Sequence, residues 1–197
     1  LIGAALFRRD VLRDSLGARA LLAGMAPSIE SADVYSGLAD LQAYCAPFDD
    51  RAASKNYAAA VRVEPHSVEL RDQAAWLCLL TSDSTVFDPQ AALAYGREAA
   101  PDVSPPSPDH LRTLAWANFA CNERAEAVRC MRRALRSGPE TPELFRAELR
   151  AIEDRHIRDA VKLQEAIGLS VVTDGEDRRL NFQDSFGESV TGFDAGK

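Results

Sequence analysis

The sequence predicts an all-α fold, and three observations carry that prediction. Alanine, leucine, arginine and glutamate dominate nearly everywhere, whereas the clearest β-branched cluster is confined to Val171, Val172 and Thr173. Apolar residues recur at spacings of three and four, so each segment presents one stripe for burial. Proline, glycine and polar clusters then cut the chain into pieces one or two short helices long: Pro27-Ser28, Pro47 to Asp50, Pro65, Thr81 to Pro89, Pro101 to Pro108, Gly138-Pro139 and Gly168.

In chain order, residues 1–31 hold one or two amphipathic N-terminal helices, over Ala4 to Leu12 and Arg13 to Ala26. A hairpin over 32–65 starts with Tyr35, Leu38 and Ala39, turns at Pro47 to Asp50, and closes with Ala53, Tyr57, Ala60 and Pro65. A second, over 66–101, pairs Gln73-Ala74-Ala75-Trp76-Leu77 with Ala91-Ala92-Leu93 and Ala99-Ala100, across a long turn from Ser82 to Pro89. The third, over 108–139, has the clearest pattern. Leu111, Leu114, Ala115, Asn118 and Phe119 mark its first helix, Asn122-Glu123-Arg124 the turn, and Ala127, Met131, Ala134 and Leu135 its second. Alanines at 115, 127 and 134 let the two backbones approach closely, as an antiparallel hairpin requires. Two capping helices, Thr141 to Arg150 and His156 to Ile167, complete the repeat domain at 141–167 and cover the apolar end of the stack.

The helical domain is therefore expected over 1–168, followed by an extended C-terminal arm over 169–197. In the arm the periodicity fails: glycines at 175, 187, 192 and 196 interrupt it, and acids alternate with Phe182, Phe186 and Phe193. These phenylalanines, with Leu180, are candidate anchors on this protein or on a partner.

On Leu111, Leu114, Ala115, Ala127, Met131, Ala134 and Pro139, the third hairpin resembles the tetratricopeptide repeat, a helix-turn-helix unit of about 34 residues. It departs from the family pattern in carrying leucine where a large aromatic is usual and Asn118 where tyrosine is usual. Gln73-Ala74-Ala75-Trp76-Leu77 repeats the grammar of Thr113-Leu114-Ala115-Trp116-Ala117, so the resemblance extends in degenerate copies over residues 32–139. It implies a short right-handed α-solenoid of antiparallel hairpins whose first helices line a concave face. It also implies that Trp76 and Trp116 occupy one groove-facing position, with Arg112 and Phe119 beside them as partner-binding residues and Asp72, Gln73, Leu79 and Thr113 on the same helices. A tryptophan there offers large apolar area and an N–H donor. The alternative is that both indoles pack between neighbouring helices. Lys55 and Asn56 lie on a second helix, so the basic-asparagine clamp that some family members use for a terminal carboxylate is not reproduced.

Composition narrows the function classes. A net charge of -7 repels phosphate backbones, which argues against a nucleic-acid partner. The longest apolar stretches, Leu1 to Phe7 and Ala74 to Leu80, fall short of the roughly 20 residues that span a bilayer. Cys45, Cys78, Cys121 and Cys130 form no CxxC pair and have no histidines at ligand spacing, which reads as reduced thiols in an intracellular compartment. Cytoplasm and an organelle entered by way of a removable transit peptide both fit, and a start at Leu1 is equally that of a processed precursor or of a partial sequence. His66, His110 and His156 join no nucleophile arrangement, and no phosphate loop, dinucleotide fingerprint or HExxH occurs. No metal, cofactor or catalytic residue is therefore expected. Arg129, Arg132, Arg133 and Arg136 make a basic stripe that reads either as a dock for an acidic partner or as a solvated face.

The expected function is a non-catalytic scaffold that holds a protein partner through its hairpins and arm, within a multi-subunit complex. The alternative is a structural accessory subunit built permanently into a large assembly, such as an organellar membrane complex.

Overall fold

The computed structural model describes residues 5, 8–10, 12–99 and 106–169, and all regular structure among them is helical. The eight full helices are α1 (Ser15–Met25), α2 (Ala32–Tyr44), α3 (Asp50–Val63), α4 (Val68–Leu80), α5 (Pro89–Ala99), α6 (Pro108–Ala120), α7 (Arg124–Arg136) and α8 (Pro142–Ala166). The chain divides into two compact units, Leu1–Pro142 and Glu143–Lys197.

Side-chain oxygens start most helices of the first unit by accepting the amide protons that the first turn leaves unpaired. Asp14 accepts from Gly17, Asp49 from Ala52 at 3.0 Å, Asp88 from Ala91 at 2.9 Å and Ser107 from His110 at 3.2 Å. Pro108 occupies the first turn of α6, where its missing N–H costs nothing. The α6–α7 turn is tight because Asn122 takes φ 65°. That left-handed residue lets the Glu123 amide donate back to Asn118 O at 2.8 Å and the Asn122 amide to Phe119 O at 3.0 Å.

Helices α2 and α3, α4 and α5, and α6 and α7 pack as pairs; successive pairs touch through α3 with α4 and α5 with α6, and α4 also meets α6. Alanine makes these approaches possible: Ala39, Ala53, Ala60, Ala75, Ala92, Ala115, Ala117, Ala127 and Ala134 are all buried. One cluster joins Ala39, Ala53, Tyr57, Ala74, Leu77 and Val86, tying α2, α3, α4 and the 81–88 loop together. Another joins Ala75, Cys78, Ala92, Leu93 and Ala117 across α4, α5 and α6. Gly96 on α5 lies where an added Cβ would sit 3.5 Å from the Leu114 backbone, so α5 and α6 cross nearly in contact.

The long α4–α5 turn is ordered by its own polar groups. Asp83 receives the Arg51 guanidinium at 2.8 Å together with the amide and hydroxyl of Thr85, and these donors hold its carboxyl down at about 2. Thr81 donates to Asp50 at 2.6 Å, fastening the loop to the start of α3.

In the second unit, one 25-residue helix, α8, replaces the two capping helices expected from the sequence. The residues between them, Ala151 to Arg155, include no glycine or proline to break the helix, and Ile152 and Glu153 are buried. Gly168 at φ 80° ends it, with the Leu169 amide donating to Gln164 O. The N-terminal expectation is met in part. Residues 8–10 are helical, and α1 starts at Ser15 after Arg13 takes φ 55°. The arm with Leu180, Phe182, Phe186 and Phe193 lies outside the described residues.

Candidate protein-binding face

Helices α4 and α6 bring four of the expected site residues into two contacting pairs. The Arg112 guanidinium lies 4.9 Å from the Trp76 ring centroid, a cation–π contact between neighbouring first helices. One turn further along α6, Trp116 meets Phe119 edge to face, with centroids 5.6 Å apart and planes at 90°. Arg124, at the start of α7, stands 5.9 Å over the Phe119 ring. All of these side chains are half-buried, so each keeps some surface for an added contact.

The i, i+4 spacing of Arg112 and Trp116 puts both on one side of α6, while Leu111, Ala115 and Asn118 turn inward and are buried. Asn118 Nδ2 donates to Leu114 O at 2.8 Å within the same helix. Thr113 is fully buried and donates to Asp109 O, which makes it a packing residue of α6.

Polar groups border the aromatic pairs. Burial pushes the Asp72 carboxyl above the ordinary carboxylate range, against the opposing pull of Thr113, His110 and Arg112. Asp72 Oδ1 and Gln73 Oε1 are buried atoms that meet no hydrogen-bond donor among the described residues.

Beside Gln73 a cavity of about 390 Å³ opens between α2 and α4, within the size range of small-ligand pockets. Asp33, Asp40, Glu69, Gln73 and Arg9 line it, over a floor that includes Leu22 and Leu41. Asp40 accepts a hydrogen bond from the buried Tyr57 hydroxyl at 2.5 Å. Burial nevertheless holds the Asp40 carboxyl above its usual value, and Glu69 adds to that rise while Tyr57 and Arg9 oppose it. The Arg9 guanidinium is itself taken by Asp10, at 2.6 and 2.9 Å.

The sequence reading picked out Gln73 but missed Asp33, Asp40 and Glu69. Their signal was present: Asp33, Gly37 and Asp40 share one side of α2, and Glu69 and Gln73 are an i, i+4 pair on α4. The basic stripe is on α7, where Arg129 pairs with Glu126 and Arg129, Arg133 and Arg136 are exposed. All four cysteines are free thiols; burial pushes Cys78 and Cys130 up to about 11, which makes both poor nucleophiles at neutral pH. Among the described residues no cluster of three histidine, cysteine or acidic side chains could hold a metal, and no helix is long and apolar enough to cross a membrane.

No family model matches the chain. Among the curated proteins similar to parts of it are two described as 5-methyltetrahydropteroyltriglutamate--homocysteine methyltransferase. The one from Syntrophotalea carbinolica is 36% identical over 83 residues, which is 42% of this chain and 10% of that protein. The one from Mycolicibacterium paratuberculosis is 31% identical over 145 residues, 74% of this chain and 18% of that protein. A match of that extent takes in the central helices α4 to α7 wherever along the chain it begins. The chain spans between a tenth and a fifth of the length of these relatives.

Proposed function

We propose that this chain is a non-catalytic scaffold that holds a protein segment along the exposed sides of α2, α4 and α6. The hairpins would form a short right-handed solenoid of tetratricopeptide type, with the C-terminal arm adding a second contact. One observation carries the reading: on the first helices of two consecutive pairs, Trp76 with Arg112 and Trp116 with Phe119 form aromatic and cation–π contacts while remaining only half-buried. Half-buried tryptophan and arginine are the side chains that most often dominate binding at protein interfaces. The direct approach of α4 to α6 supports a stacked arrangement of first helices. The experiment is selection of peptides from a random decapeptide library on the folded chain, followed by affinity measurement with Trp76→Ala and Trp116→Ala combined. Loss of about thirtyfold or more is expected from two anchor residues. A variant that folds and binds the same peptides equally well would refute the groove.

A second reading, a helical accessory part of a larger enzyme, is favoured by the two curated relatives, whose shared description is of a methyltransferase. Under that reading the protein segment held by α4 and α6 belongs to a catalytic domain. Homocysteine methylation by the isolated chain with the folate donor would count against both readings, since each leaves the chemistry to another part or partner.

A further inference from the structure

Resting on the proposed binding face, the α2–α4 cavity tells what kind of segment that face selects. Its walls are acidic, with Asp33, Asp40 and Glu69, and the one cation among the lining residues, Arg9, is held by Asp10. Asp33 and Glu69 are exposed and enter no ion pair among the described residues. Gln73 lines the same side of the cavity as Glu69, one turn further along α4. Gly37 lies in the middle of α2, where glycine is less favourable than alanine. An added Cβ there would come within 3.3 Å of the Leu22 side chain, so the glycine keeps the space between α2 and the cavity floor open. The apolar floor suits methylene groups, and the walls suit a positive charge at their end.

We propose that this cavity receives the lysine or arginine side chain of the partner segment, its stem over Leu22 and Leu41 and its charged end facing Asp33, Asp40 and Glu69. The aromatic pairs on α4 and α6 then hold an apolar residue of the same segment. A basic residue followed or preceded by an apolar one is thus the recognition element, and an acidic segment is rejected by like charge.

The test uses the decapeptides selected on the whole chain. They are expected to be enriched in lysine or arginine, and to lose about tenfold in affinity on Asp33→Asn with Glu69→Gln, because two partly solvated ion pairs disappear. Raising the salt from low to 1 M should weaken the parent and leave that variant nearly unchanged. Thermal unfolding of the charge variant at the parent's midpoint excludes a folding defect, and a folded charge variant that keeps the parent's affinity for basic peptides would overturn the inference. Peptides without a basic preference that still need Trp76 and Trp116 would overturn this inference and leave the binding face standing. Recovery of no peptides would overturn both.

Discussion

Replacing Tyr57 by phenylalanine removes one oxygen atom and tests how α2 and α3 are joined beneath the acidic cavity. Tyr57 is 1% exposed, and its hydroxyl donates to Asp40 Oδ1 at 2.5 Å. The ring stays, so packing is conserved, and the variant loses only the hydrogen bond to a half-buried carboxylate. Bonds to charged groups contribute about 1.5–3 kcal/mol, and the partial exposure of Asp40 places the expected loss near the lower figure. In a domain of this size that corresponds to a fall in Tm of roughly 3–6 °C. The sign of the pH dependence follows from the direction of the shift. Burial has already raised the Asp40 carboxyl above 3.8, so the folded state holds its proton more tightly than the unfolded one and stability falls as pH rises through the folded value. Without the Tyr57 donor that value rises further and the loss at neutral pH grows. Below the unfolded value the carboxyl is protonated in both states, and only about 0.5–1.5 kcal/mol of neutral hydrogen bonding should separate variant from parent. Urea unfolding at pH 7 and near pH 3 measures both. Tyr44, whose hydroxyl influences Tyr57 electrostatically, is replaced by phenylalanine in a companion variant so that its hydroxyl cannot take over. Equal deficits at the two pH values, with or without Tyr44, would refute the coupling to Asp40.

Two further variants probe the packing that positions the proposed binding face. Met131→Ala on α7 removes a fully buried side chain and should cost about 2–5 kcal/mol in chemical unfolding; a loss under 1 kcal/mol would mean the α6–α7 interface is loosely packed. Gly96→Leu on α5 meets the Leu114 backbone as well as its side chain, so it should destabilise the chain by about 1–3 kcal/mol, whereas Gly96→Ala, whose Cβ would make ordinary contacts, should be neutral or stabilising.

The helix grammar was readable because its signals are local. The proline and polar breaks reported where helices stop: the expected turn at Asn122-Glu123-Arg124 separates α6 from α7, and the long turn from Ser82 lies between α4 and α5. The single long α8 was misread because the charged stretch Ala151 to Arg155 has a loop-like composition but no residue that breaks a helix. Spacing alone placed Trp76, Arg112, Trp116 and Phe119 on first helices, but only the crossing of α4 with α6 decides that Arg112 covers Trp76. The acidic cavity was legible only in part: helical spacing groups Asp33 with Asp40 and Glu69 with Gln73, but the space arises where α1, α2 and α4 meet, and a glycine in mid-helix reads as a propensity defect until the neighbouring Leu22 is known.

The central claim is that a protein segment is held at the α4–α6 face, and the chain carries its own probe, because Trp76 and Trp116 are its only two tryptophans. Titrating the parent with a selected decapeptide lacking tryptophan, while following intrinsic emission and its quenching by acrylamide, measures that face directly. A saturable blue shift with reduced quenching, at the same concentrations that give half-maximal binding by calorimetry, is the predicted result. Calorimetric binding with unchanged emission and unchanged quenching would contradict the account.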